Sequence, residues 1–232
     1  MFEISPASVL YEDNHLIAIN KKAGIPVQGD QSGDQPLNEA VKAFLKKKYN
    51  KPGAVYLGVV HRLDRPVSGV VLFAKTDKAL GRLNKMFQER TVQKTYWAVV
   101  RQRPDPYEGK IKNYLRKNAK QNKSYVASTG KDGSKLAELT YQLLMSTNHY
   151  HLLKVLPLTG RHHQIRAQLA SIGCPIKGDL KYGAERSNSN GSIHLHARKL
   201  EFIHPVKKEP VVLTAPPPSG DNLWAVMSEP LD

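Results

Sequence analysis

The chain has 232 residues, 40% hydrophobic and 24% charged, a balance that excludes wholesale disorder and a fibrous repeat. Fully apolar runs such as Val70–Ala74 are far short of the roughly 20 residues that cross a bilayer. Thirty-five Lys and Arg against 20 Asp and Glu give a formal charge of +15, which draws polyanions, with nucleic acid ahead of anionic lipid as the expected partner.

A basic lipid binder concentrates its cations on one amphipathic helix, whereas here they are spread along the chain. The opening MFEISPASVLYEDNH carries Glu3 and no sustained apolar stretch, unlike a secretory leader. A lone cysteine, Cys174, suits a reducing compartment, so a cytoplasmic protein is expected.

In chain order, residues 9 to 19 predict two short strands about a turn at Glu12-Asp13-Asn14, followed by a glycine- and proline-bearing loop. Leu37 to Tyr49 has helical spacing and ends in Lys46-Lys47-Lys48, read as a solvated helix end. Val55 to Val60 predicts a strand, and Gly69 to Ala74 a strand buried on both faces. Thr76 caps a helix reaching about Arg90, and Lys94 to Val100 returns as a strand with Tyr96 and Trp97 on opposite faces. Residues 101 to 135 are polar and basic, as in a hairpin excursion. Strands follow at about 137 to 145 and 150 to 157. Thr159 is expected to cap a helix closed by Gly173 and Pro175, with His162 and Arg166 on its flank. Ala184 to Ser192 reads as a loop, Ile193 to Ile203 as a strand, and the remainder as a proline-rich end. Strands and helices alternate irregularly, so a single α+β domain over residues 1–232 with a mixed, largely antiparallel sheet is expected.

One carboxylate is out of place. Between Glu39 and Asp77 the only acidic residue is Asp64, amid Lys42, Lys46, Lys47, Lys48, Lys51, Arg62, Arg65 and Lys75. A second acid-free window, Leu139 to Gly178, holds Arg161 and Arg166. A purely RNA-binding face gains nothing from a carboxylate that repels phosphate. Asp64 also sits in a tight turn with Pro66 and Gly69 at the mouth of a buried strand, the rigid placement that active-site loops use. An ionised carboxylate there serves as nucleophile or base rather than general acid. The alternative is an aspartate that caps its turn or pairs with an arginine.

Other constellations are weaker. His149 and His151, His162 and His163, and His194 and His196 lack metal-ligand spacing, and no phosphate-cradling glycine motif is present, so neither metal nor nucleotide cofactor is expected. A histidine-dependent ribonuclease stays open as a chemical rival.

His61-Arg62-Leu63-Asp64-Arg65-Pro66-Val67-Ser68-Gly69 closely resembles the HRLD signature of RluA-type pseudouridine synthases. VLYEDNHLIAINKKAG (9 to 24), KTYWAVV (94 to 100), LTGRHHQIRAQLASIGCPIKGDLKYG (158 to 183) and HARKLEFIHP (196 to 205) are similar to further motifs of that family, in the same order. The chain departs from the usual pattern at Lys22, His162 and Gln168, where Pro, Thr and His are common. The motifs begin almost at Met1, so the resemblance implies a catalytic domain without the small N-terminal RNA-binding module of many relatives.

The resemblance also implies a reaction and a site. Uridine in ribosomal or transfer RNA would be isomerised by breaking N1 to C1′ and rejoining through C5, with no cofactor. Asp64 would be the nucleophile or base. Arg62 would fill the stack vacated by the flipped nucleotide, and Tyr96 would stack on the extruded uracil. Arg166 would pair with Asp64, and Ile165 would form an apolar wall. An inactive RNA-binding or ribosome-assembly relative is the alternative, and a monomer is expected.

Overall fold

Apolar runs in the sequence become paired strands in the computed structural model, which describes residues 2–30, 33–128, 130 and 133–228. The first half contains β1 (Val9–Glu12), β2 (Leu16–Lys21), α1 (Leu37–Lys48), β3 (Gly58–Val59), β4 (Ser68–Ala74) and α2 (Asp77–Gln88). Then come β5 (Gln93–Val100), β6 (Glu108–Asn118), β7 (Lys123–Ala127), β8 (Lys135–Ser146), β9 (His151–Pro157) and α3 (Gln164–Ser171). The chain ends in β10 (Leu195–Ile203), β11 (Pro210–Thr214) and α4 (Asn222–Ser228). The expected α+β class is what forms. The chain divides into two compact units, residues 1–93 with 197–218, and residues 94–196 with 219–232.

In the first unit β2 pairs antiparallel with β1 and with β4, Leu16 facing Ala74 and Lys21 facing Gly69. All seven β4 residues are buried, as a continuous apolar run requires of a strand covered on both faces. Leu16, Val70 and Leu72 meet Leu83 of α2 and Leu200 and Phe202 of β10 in one apolar cluster. Thr76 caps α2 as expected, its hydroxyl accepting from Ala79 N at 3.3 Å. The Lys46-Lys47-Lys48 run closes α1, and its last member is more than a solvated end. Lys48 donates to Glu12 at 2.7 Å, and Lys75 and the Tyr49 hydroxyl join the same carboxylate. Burial opposes ionisation of Glu12, yet these donors overcome it and hold its pKa at about 2.

Two expectations change here. The strand expected over Val55 to Val60 shrinks to Gly58–Val59, because Tyr56 turns outward and its hydroxyl donates to Asp77 at the start of α2. The expected proline-rich end contains β11, which pairs antiparallel with β10 from Lys199↔Thr214 to Ile203↔Pro210.

In the second unit the strand order is β5-β9-β8-β6-β7, and the neighbouring pairs are antiparallel. The excursion of residues 101 to 135 is largely the β6–β7 hairpin. Helix α3 differs from expectation. His163 adopts a left-handed conformation (φ 53°), so the helix starts at Gln164 and His162 precedes it. Thr159 is a buried cross-link and not a cap: its hydroxyl donates to Gln164 Oε1 at 2.7 Å and accepts from Glu138 N at 2.9 Å. Residues 164–169 are all buried, which puts Arg166 in the interior rather than on a flank, while Ile172 is 37% exposed. The second element missed in the proline-rich end is α4, whose first turn is capped by the Asp221 carboxylate through Leu223 N and Trp224 N.

Candidate active site

The HRLD segment of the first unit is fixed residue by residue. His61 Nε2 accepts from Leu72 N of β4 at 3.0 Å, which leaves that nitrogen without a proton, and its ring stacks on Phe87 of α2. Leu63 and Val67 are buried, so the residues between them are carried to the surface: Arg62 and Arg65 are exposed and Asp64 is half-buried. Val67 N donates to the Asp64 carbonyl at 3.0 Å, closing the turn around Pro66. The Arg65 carbonyl then receives Gly24 N at 2.8 Å and Lys21 Nζ at 3.1 Å. Arg65 also forms an ion pair with Asp34. Gly69 ends the segment at φ +114°, where a Cβ would lie 2.3 Å from the Ala197 carbonyl oxygen. A short turn pinned at both ends presents Asp64 with little freedom to move.

The second unit holds the other expected residues. Tyr96 lies on β5 opposite Val155 of β9 and is half-buried between buried Thr95 and Trp97. Ile165 and Arg166 are consecutive and buried on α3. Arg166 donates from Nε to Asp179 Oδ2 at 2.7 Å and from a terminal nitrogen to Asp179 Oδ1 at 2.8 Å, and its guanidinium lies 5.1 Å from the Tyr182 ring centroid. The Tyr182 hydroxyl accepts from Ser124 N at 2.9 Å and lies 3.0 Å from His163 Nδ1. Burial, with Arg166 adding to it, drives the His163 pKa down to about 2, so this ring is neutral. Arg62 and Asp64 thus share one turn, while Tyr96, Ile165 and Arg166 share the other unit. Among the described residues no three His, Cys, Asp or Glu side chains cluster as metal ligands would.

Three participants in this architecture escaped sequence reasoning: Lys21, Asp179 and Tyr182. Asp179 and Tyr182 lie within the GDLKYG run, whose likeness to the family motif is the one signal the sequence offers for them.

The family model described as RNA pseudouridylate synthase matches residues 15–171. Ribosomal large subunit pseudouridine synthase C of Rickettsia bellii is 35% identical over 222 residues, which cover 95% of this chain and 71% of that protein. The chain belongs to the RNA pseudouridylate synthase family. A protein of the same name from Vibrio vulnificus is 34% identical over 228 residues, covering 94% of this chain and 68% of that one. Among solved structures, human RNA pseudouridylate synthase domain containing 4 aligns with a TM-score of 0.76 at 26% identity, covering 92% of this chain and 89% of that one. The expected family and fold are therefore borne out, and the enzyme is an RNA pseudouridine synthase.

Two departures from the common family pattern acquire a physical account. His162 lies 2.9 Å from the Ser124 hydroxyl and 3.0 Å from the Asn122 side chain, tying the start of α3 to the β6–β7 hairpin. Gln168, fully buried, donates to the Asn113 side chain and to the carbonyls of Ile111 and Ala137, which join α3 to β6 and β8. Among the described residues no helix is long and apolar enough to cross a membrane.

Proposed function

We propose that this pseudouridine synthase modifies ribosomal RNA, with Asp64 as nucleophile or base. The observation that carries the role of Asp64 is its presentation: one half-buried carboxylate on a turn clamped by His61, Leu63 and Val67, in a stretch otherwise populated by cations. Relatives that align along most of the chain are named ribosomal large subunit pseudouridine synthase C, which supports ribosomal over transfer RNA. The unit of function is one catalytic domain over residues 1–232, acting as a cytoplasmic monomer.

The reaction breaks N1–C1′ and makes C5–C1′, N1 gaining a proton and C5 losing one to solvent. It is balanced without oxidant, metal or nucleotide. The target must first leave its stack, at a cost of a few kcal/mol. Exposed Arg62 is suited to fill the vacancy, because a planar guanidinium both stacks on bases and grips phosphate. Tyr96 is suited to stack on the extruded uracil and Ile165 to supply an apolar wall, while Arg166 is oriented by its two-pronged pair with Asp179.

Ribosomal RNA labelled with tritium at uridine C5 tests this reading. Label release from intact strands is expected, with Asp64→Asn abolishing release while RNA affinity survives, since the carboxylate opposes phosphate. Strand fragments would point to a nuclease, and binding without release to an inactive relative. Release from transfer RNA alone rejects the ribosomal assignment.

A further inference from the structure

Helix α1 runs out in Lys46-Lys47-Lys48-Tyr49-Asn50-Lys51, and all six residues are exposed. The backbone there is closed tightly. Asn50 takes the left-handed conformation (φ 47°), its N–H donates to the Lys47 carbonyl at 3.4 Å, and Lys51 N donates to the Lys46 carbonyl at 3.1 Å. This double closure folds Lys51 back on the last helical turn, so Lys46, Lys47 and Lys51 leave one compact stretch of backbone. Glu12, the carboxylate at this place, is 8% exposed and taken by Lys48, Lys75 and the Tyr49 hydroxyl. Among the described residues no ion pair is formed by Lys46, Lys47 or Lys51.

The helix dipole favours cations in the last turn, but its effect fades beyond that turn and like charges set side by side repel. It explains neither Lys51 nor the aromatic ring among the lysines. Tyr49 is 48% exposed, yet its hydroxyl is pinned to Glu12 Oε1 at 2.8 Å. Lys75 Nζ and Lys48 Nζ lie 5.1 and 5.4 Å from its ring centroid. A ring held at its tip and braced by two ammoniums has little rotamer freedom left to lose when a flat partner stacks on it. Fixed, exposed aromatics among cations are what unpaired nucleic acid binds: the ring takes a base and the ammoniums take phosphates.

This cluster and the Asp64 turn lie at opposite ends of the β2–β4 pair. Lys75 follows Ala74, which faces Leu16, whereas the Asp64 turn leads into β4 where Gly69 faces Lys21. From Gly69 to Ala74 the strand covers roughly 17 Å at about 3.3 Å per residue. A nucleotide delivered to Asp64 therefore does not touch Tyr49. We propose that the end of α1 is a second RNA-binding surface, separate from the reaction site, on which Tyr49 stacks an unpaired base and Lys46, Lys47 and Lys51 hold the flanking phosphates of the same ribosomal RNA. It rests on the ribosomal RNA reading, not on the role of Asp64.

Acetylation of individual lysines in the wild-type protein, with and without large-subunit ribosomal RNA, tests this without any variant. Lys46, Lys47 and Lys51 should be protected by the RNA, and unchanged reactivity of all three overturns the proposal. Protection by ribosomal subunits but not by naked RNA would assign the surface to a protein partner and overturns it as well. The triple variant Lys46→Gln, Lys47→Gln, Lys51→Gln should flatten the log-log salt slope of RNA affinity by about 2 to 2.7, and a slope that stays put overturns the phosphate contacts. Tyr49→Ala should weaken RNA binding by about 5- to 100-fold, and unchanged affinity overturns the stacking role. Should Tyr49→Ala not fold, the triple variant, which leaves the Glu12 network in place, still decides. Wild-type protein that does not bind ribosomal RNA at all would remove the ribosomal reading itself, so the two failures are distinguishable.

Discussion

Arg166 and Asp179 meet as a buried two-pronged pair, Nε to Oδ2 at 2.7 Å and a terminal nitrogen to Oδ1 at 2.8 Å. Removing one member of such a pair leaves the other charged and desolvated. Asp179→Ala is therefore expected to cost about 3 to 5 kcal/mol in urea unfolding. Replacing both by apolar residues, Arg166→Met with Asp179→Leu, should recover most of that stability without recovering turnover. An Asp179→Ala loss below 1 kcal/mol would mean that Asp179 does not carry the guanidinium.

Gly69 serves the fold where it touches the site. At φ +114° it lets the start of β4 approach the Ala197 backbone so closely that an added Cβ would sit 2.3 Å from an oxygen and 2.6 Å from a nitrogen. Neither atom is the end of a flexible side chain that could step aside. Overpacking and left-handed strain together give Gly69→Ala an expected cost of about 2 to 5 kcal/mol. Because the same turn carries Asp64, turnover per folded molecule should fall too. A variant that melts and turns over like the wild type contradicts the close approach.

Legibility in the sequence followed period and locality. The apolar run that became β4, the Thr76 cap and the basic β6–β7 hairpin could be read because each is specified by neighbours in sequence. The strand β11 was hidden because it begins at Pro210 and leaves Val212 59% exposed, so it pairs by register and not by an apolar stripe. Helix α4 is seven residues long, too short for periodicity, although Asp221 before Asn222 is a recognisable cap. Asp64 stood out through its local charge contrast. Lys21 and Asp179 did not, because each is explained by a partner 44 or 13 positions away, and a lone charged residue in sequence reads as surface.

Helix α4 is fastened through its cap by a histidine that must be neutral. Lys177 can only donate, so its 2.7 Å bond to Asn188 Oδ1 fixes that amide and turns Nδ2 toward His194 Nδ1 at 3.0 Å. His194 therefore carries its proton on Nε2, facing Asp221, the residue that caps α4. Burial and then Lys177 lower the His194 pKa from 6.5 to about 4, against the pull of Asp221. A depressed pKa means that the unfolded chain takes up the proton first. Stability is thus full above about pH 6.5 and declines by about 1.4 kcal/mol per pH unit as pH falls toward 4. Neutral His163 acts in the same sense. His194→Gln, which cannot titrate, should remove its share, seen as a shallower fall of the urea midpoint between pH 6.5 and 4.5. An unchanged slope would show that His194 is not the titrating group.

The tip of the β6–β7 hairpin presents a cationic surface suited to RNA. Arg116, Lys117, Asn118, Ala119, Lys120, Gln121 and Tyr125 line an open hollow of about 540 Å³ with no carboxylate among them. Lys117 and Lys120 are exposed, and Tyr125, 39% exposed, presents a ring that a base can stack on. Each lysine that neutralises a phosphate releases condensed counterions, so the dependence of affinity on salt counts such contacts. The double variant Lys117→Gln, Lys120→Gln should weaken RNA binding and flatten the log-log salt slope by about 1.4 to 1.8. Turnover at saturating RNA should not change, because a phosphate contact contributes to affinity and not to the chemical step. A slope that stays the same would place the hairpin tip outside the RNA footprint, and a fall in saturated turnover would give these lysines a part in positioning the target.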